Sequence, residues 1–230
     1  MTESPFDPKF DELPQTLPIF PLSGVLLLPR GRLPLNIFEP RYLAMTRDAL
    51  AGDRLIGMVQ PKPGPDGHKA GDAGARDSGA AEIYPVGCAG RLTAFAETDD
   101  GRYLITLTGF CRFQVQEELP LKQGYRSVRV DWSGYAADRE MAAPSGLRRD
   151  DFESTLAHYF RLYGIQADWA TIKEAPDERL ITSLAMICPF APTEKQALLE
   201  APTLADRARV IHTLIEMAVA ERGSGDTARH

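Results

Sequence analysis

Residues 17–50, LPIFPLSGVLLLPRGRLPLNIFEPRYLAMTRDAL, change their hydrophobic period once, and that change organises the chain. The stretch opens on a proline-punctuated apolar segment (Ile19, Phe20, Leu22) that runs on into Val25, Leu26, Leu27 and Leu28. Pro29, Arg30 and Gly31 then turn the chain. Leu33, Leu35 and Ile37 alternate with other residues at period two, the pattern of a half-buried strand. After Glu39 and Pro40 the period becomes about 3.6. Proline suits the first helical position because its missing N–H would have no intrahelical partner there. Tyr42, Leu43, Met45, Ala49 and Leu50 supply one apolar helix face. The spacing therefore predicts strand, turn, strand, helix.

Downstream, Leu55 to Gln60 reads as a buried strand. Residues 61–82 are crowded with Gly, Pro and Asp and have only alanines as apolar side chains apart from the prolines, so they predict a mobile loop inside the domain. From Tyr84 to Trp132 the alternation returns. Leu92, Ala94 and Ala96 are expected to share one face, Tyr103, Ile105 and Leu107 another stretch of it, then Cys111, Phe113 and Val115 after a break at Gly109, and finally Val128, Val130 and Trp132. Short strands with a single buried face need closure or packing to protect their edges, so a twisted sheet or small barrel follows.

FPLSGVLLLP followed by LPLNIFEPRY resembles the start of the substrate-binding, N-terminal domain of Lon protease, especially the small bacterial proteins that carry this domain alone. The resemblance continues more weakly to about Trp132. It implies an α+β protein: a PUA-like β-rich unit with one helix, followed by a helical unit. It also implies a non-catalytic role in recognising unfolded or partner polypeptides, with a separate protease in trans as a further partner.

The expected organisation is a flexible arm over residues 1–13, mobile unless Phe6 and Phe10 dock, and a β-rich unit over 14–132. A linker over 133–148, a helical unit over 149–222 and a disordered tail over 223–230 follow. In the helical unit Phe152, Leu156, Tyr159 and Phe160 repeat at helical spacing, as do Leu180, Leu184 and Ile187, and Ile211, Leu214, Ile215 and Ala218. Thr193 with Gln196 and Thr203 with Asp206 resemble helix-start capping pairs, the first matching better.

A chain of 230 residues can bury roughly 70–75% of its unfolded surface, enough for one large core or two modest ones. The net charge of −6 disfavours a nucleic-acid partner, which would call for a basic stripe. RNA binding survives only as a fold-level alternative, because PUA-like folds sometimes do it. Cys88, Cys111 and Cys188 cannot all pair and form no C-x-x-C, so they read as reduced core residues of a cytoplasmic protein. The acidic, proline-bearing start has no apolar core of the signal-peptide kind, and no apolar run approaches the ~18 residues of a membrane span.

Catalytic motifs are missing from the sequence: it has no G-x-x-x-x-G-K-[ST], no G-x-S-x-G and no H-E-x-x-H. PKPGPDG superficially resembles the run around the catalytic serine of Lon-type peptidases. Asp66 stands roughly where that serine would be, and a carboxylate cannot replace the activated hydroxyl. An unconventional peptidase is thus the least supported reading. His68, His158, His212 and His230 have no partners at metal-ligand spacing, so neither metal nor cofactor is expected. The candidate polypeptide-binding residues are Glu39, Arg41 and Tyr42. One reading makes Glu39 and Arg41 a charged pair at the mouth of a peptide site; the other has Glu39 favouring the helix N-terminus while Arg41 and Tyr42 pack on a neighbouring strand.

Overall fold

Among the described residues, six strands and one α-helix make up the first part of the chain: β1 (Thr16–Pro21), β2 (Arg32–Ile37), α1 (Pro40–Ala51), β3 (Leu55–Val59), β4 (Val86–Glu97), β5 (Tyr103–Lys122) and β6 (Tyr125–Asp131). They belong to the first of two compact units, Met1–Glu140 and Met141–His230. The computed structural model describes residues 6–63 and 81–226. Most of the loop expected over 61–82 lies outside the described residues. Its ends are paired, with Pro61 bridging Ile83 and the Lys62 N–H donating to the Glu82 carbonyl at 2.7 Å.

The sheet closes. Its order is β2-β5-β4-β3-β1-β6, and β6 pairs again with the far half of β5, so β1, β3, β4, β5 and β6 form a ring. Closure removes the exposed edges that an open sheet would present. A continuous β5 makes the ring possible. Gly109, expected to break the strand, instead lies inside it, and the near half of β5 pairs with β2 and β4 while its far half pairs with β6. Phe113, Cys111, Ile19, Leu55 and Val128 fill the interior.

Other readings of the first unit change as well. Val25–Leu28 is not a strand but an irregular segment, with Leu26, Leu27 and Leu28 fully buried. Its backbone is held from the side: Arg30 N–H donates to the Gly109 carbonyl and Gly109 N–H to the Gly31 carbonyl, both at 2.8 Å. For the arm, the alternative of docking holds at Phe10, which packs on the core, while Phe6 is exposed; between them Asp7 pairs with Arg91 at 2.8 Å and with Arg139 at 3.7 Å. The first half of the linker over 133–148 belongs to the barrel unit. Its 3-10 turns, Ser133–Arg139, are pinned by a buried bidentate pair, Arg112 with Asp138, that no apolar pattern announces.

The second unit holds α2 (Arg149–Tyr163), α3 (Trp169–Glu174), α4 (Asp177–Ile187), α5 (Pro192–Glu200) and α6 (Leu204–Asp226). Phe152, Leu156, Tyr159, Ile181, Leu198 and Ile211 are its buried centre. α6 runs three residues past its expected end near Gly223, since each of the two glycines there, Gly223 and Gly225, costs a helix only about 1 kcal/mol; residues 227–230 lie outside the described residues. The capping readings are reversed in order. Thr203 and Asp206 satisfy each other's N–H groups at 3.1 and 3.2 Å, whereas α5 starts at Pro192 and it is Glu194 that accepts from the Ala191 N–H. Thr193 already sits inside that first turn.

Lys195 is buried at 6% exposure, with its ammonium donating to the Met186 carbonyl at the end of α4. Burial holds its pKa below the ordinary 10.5. A lysine lowered in the folded state binds fewer protons than in the unfolded one, so its penalty is full at neutral pH and is relieved as pH climbs through the folded value toward 10.5. Lys195→Met is therefore expected to stabilise the chain by about 1 kcal/mol at pH 7 in urea unfolding, with the gain shrinking as pH rises. A loss of stability at pH 7, or a gain that does not change with pH, would contradict this.

Candidate functional site

Beyond the closed ring, β2, the near half of β5 and the far half of β4 continue as a three-stranded extension. Its register determines what faces water. Leu104 lies opposite Asn36 and Ala96, and Thr106 opposite Pro34 and Ala94, so these six share a face. All but Thr106 are exposed, Leu104 at 49%. Phe38, just past β2, is 57% exposed, and the Arg102 guanidinium lies 5.9 Å from its ring centre. The opposite face carries Leu35, Ile37, Tyr103 and Ile105, with Ile105 buried and Phe95 against Tyr103 edge to face.

This shelf exists because of one irregularity. The pairing of β4 with β5 shifts between Leu92 and Ala94, a bulge that turns Ala94 and Ala96 away from the face Leu92 occupies. Leu92 is buried at 3% while Ala94 and Ala96 are exposed, which corrects the expectation of one shared face. The same three strands line a shallow depression of ≈ 470 Å³ that takes in Leu35 and Phe95 from one face and Ala96 and Leu104 from the other. None of the described residues lining it is charged.

The residues singled out from the sequence stand beside this extension in the chain, and they separate into two environments. Glu39 and Arg41 form an exposed pair, Arg41 Nη2 to Glu39 Oε2 at 2.8 Å and Nε at 2.9 Å. Glu39 sits at the N-cap of α1 but accepts no capping bond through its side chain, so the pair competes with the cap. Tyr42 is buried at 8%, its ring centre 4.1 Å from that of Phe20 and 4.7 Å from the Arg41 guanidinium. Burial pushes its phenol above the ordinary value, with Arg41 pulling the other way. Tyr42 packs as core; Arg41 and Glu39 are paired and exposed. The exposed Leu104, Pro34 and Phe38 escaped the sequence reading, although their apolar character at alternate positions was visible.

A second depression, ≈ 350 Å³, lies between α1, β1 and the β5–β6 hairpin. Of its two carboxylates, Asp48 and Asp53, the first is already engaged: Asp48 accepts from Tyr125 Oη at 2.6 Å, Lys122 Nζ at 2.9 Å and Gln123 Nε2 at 3.2 Å. Tyr125 first, then Lys122, hold the Asp48 carboxyl below its ordinary value. These bonds clamp the hairpin to α1. Among the described residues no group of His, Cys, Asp and Glu could hold a metal ion, and no helix is long and apolar enough to cross a membrane.

Comparison with known proteins gives a consistent result. Residues 16–217 match the family described as the ATP-dependent protease La (LON) substrate-binding domain. Lon protease 2 of Myxococcus xanthus is 31% identical over 121 residues, 53% of this chain and 13% of that protein. Lon protease 2 of Thermus thermophilus is 23% identical over 214 residues, 90% of this chain and 25% of that protein. The chain thus corresponds to a quarter or less of these relatives. Among solved structures, the Lon N-terminal domain protein from Xanthomonas campestris superposes with a TM-score of 0.54 at 22% identity, covering 85% of this chain and 96% of that one. The N-terminal domain of Mycobacterium avium complex Lon protease gives 0.51 at 13% identity, with 89% and 98% covered. At these identities the two structures establish the α+β fold alone.

Proposed function

This chain belongs to the Lon substrate-binding domain family, and from that premise we propose that it recognises unfolded or partner polypeptides without transforming them, handing them to a separate protease. The observation that carries the reading is the exposed apolar shelf of Pro34, Ala94, Ala96 and Leu104, with Phe38 at its end and the Glu39–Arg41 pair following directly. A shelf fits such a partner better than a strand edge does. Closure of the barrel leaves β2 as the outer strand of its extension, and Pro34 within it lacks an N–H, so an added strand would lose part of its ladder. Apolar side-chain contact is left as the main attraction, and Glu39 with Arg41 supplies a charged rim. The absence of a phosphate loop or a serine-lysine motif in the sequence agrees with binding rather than turnover.

Ordering a flexible chain offsets much of the contact gain, so affinity on the order of micromolar or weaker is expected. Titrating a fluorescently labelled, permanently unfolded protein checks this. Leu104→Asp should weaken binding at least about tenfold, because it places a charge in the apolar contact, while an exposed position leaves stability within about 0.5 kcal/mol. Arg41→Ala tests the rim in the same titration. No binding at several hundred micromolar, or tighter binding of an RNA oligonucleotide than of the polypeptide, would overturn the proposal.

A further inference from the structure

The segment Ser133–Glu140 packs on the barrel in an unusual way. Its 3-10 turns are mostly exposed, with Tyr135 the one apolar side chain packed against the barrel core, so apolar burial holds the segment only in part. Polar contacts supply the rest. Asp138 receives Arg112 Nη2 at 2.7 Å and Nε at 2.9 Å, and also the Arg112 backbone N–H at 2.9 Å, with both side chains under a tenth exposed. The Cys111 thiol donates to the Tyr135 carbonyl at 3.4 Å. The guanidiniums of Arg112 and Arg139 lie over the rings of Tyr135 and Phe110, at 5.0 and 4.0 Å. Asp7, from the N-terminal arm, bridges Arg139 to Arg91.

We propose that residues 133–140 are a latch, closed by the Arg112–Asp138 pair, that opens while the barrel stays folded and thereby controls access to the Cys111 thiol. The ring of strands does not depend on the latch. Every rung of β6 with β1 and β5 precedes Trp132, and Trp132 keeps its own anchor, Nε1 to the Pro14 carbonyl at 2.9 Å. A buried pair also has an all-or-none character: with one partner gone, the other is left charged and desolvated, and moving a surface segment is the least costly way to rehydrate it. The latch keeps the thiol unreactive as well as covered. Burial and, second to it, the nearby Asp138 charge push Cys111 up to about 12; lifting the segment removes that charge and the cover supplied by Tyr135, while the barrel side of the thiol stays packed. The chemistry that would find the open state is that of a thiol-directed electrophile.

The test is alkylation of the full chain by iodoacetamide, followed residue by residue by peptide mapping. Cys88 pairs directly across the ladder with Arg112, so global opening is read instead from urea unfolding of the barrel followed by Trp132 fluorescence in a Trp169→Phe background. In the wild type the Cys111 rate should rise less steeply with urea than that transition does, because a local opening exposes less surface. Asp138→Asn should raise the Cys111 rate at least about tenfold beyond what any loss of global stability accounts for, and Asp138→Glu should restore much of the protection. A urea slope at Cys111 equal to that of global unfolding, an acceleration in Asp138→Asn fully accounted for by lost global stability, or no change at Cys111 would overturn the latch. If Asp138→Asn does not fold, the wild-type rates and slopes decide.

Discussion

Replacing Phe113 by alanine should cost about 3–5 kcal/mol, the range for a large aromatic deleted from a core that cannot collapse around the void. Phe113 is fully buried at the middle of the barrel, edge to face with Trp132 at 5.8 Å. Two glycines make the slot for its ring. A Cβ on Gly57 would come within 2.8 Å of the ring's Cζ, and one on Gly87 within 2.5 Å. The strands there approach the ring as closely as glycine allows, and the closed ladder prevents them from moving inward once it is gone. Equilibrium urea unfolding in a Trp169→Phe background, read by the remaining Trp132, follows the barrel unit alone. The same geometry predicts coupling: Gly87→Ala should be costly in the wild type and 0.5–3 kcal/mol less so beside Phe113→Leu. Strict additivity would show that the ring and the glycines do not share a slot.

Gly109→Ala should be nearly as damaging, at roughly 3 kcal/mol or more, for a different reason. A Cβ at Gly109 would stand 1.9 Å from the Leu28 carbonyl oxygen and 2.7 Å from its carbon. The obstacle is backbone, so no rotamer change relieves it. The added methyl must push out the irregular segment Leu26–Leu28, taking three buried leucines and the hydrogen bonds of Arg30 and Gly109 with it. Gly134→Ala is the matched control, because nothing lies within 4 Å of its added Cβ, and it should stay within about 0.5 kcal/mol. Equal stability of the two variants would show that the Leu28 approach is not a constraint.

Local chemistry in the sequence determined the elements: the period change at Glu39–Pro40 that starts α1, the all-buried run of β3, the apolar alternation of β5 and β6, and the helical spacing around Phe152, Leu180 and Ile211. Each is written in residues a few positions apart, because helix and strand periods are properties of neighbouring side chains. The motif FPLSGVLLLP with LPLNIFEPRY carried the family in the same local way. What only the tertiary structure decided is set by partners far along the chain. The ring closes because β5 is long enough to serve β4 and β6 at once. Val25–Leu28, strand-like by composition, is irregular because Gly109 lets its backbone in. Ser133–Arg139, linker-like by composition, belongs to the barrel because Asp138 finds Arg112 twenty-six residues away. The exposed shelf, too, depends on the single-residue slip between Leu92 and Ala94. A strand alternates with period two, so a slip of one residue reverses every side chain beyond it, and which residue slips is settled by pairing across strands rather than by the residues in line.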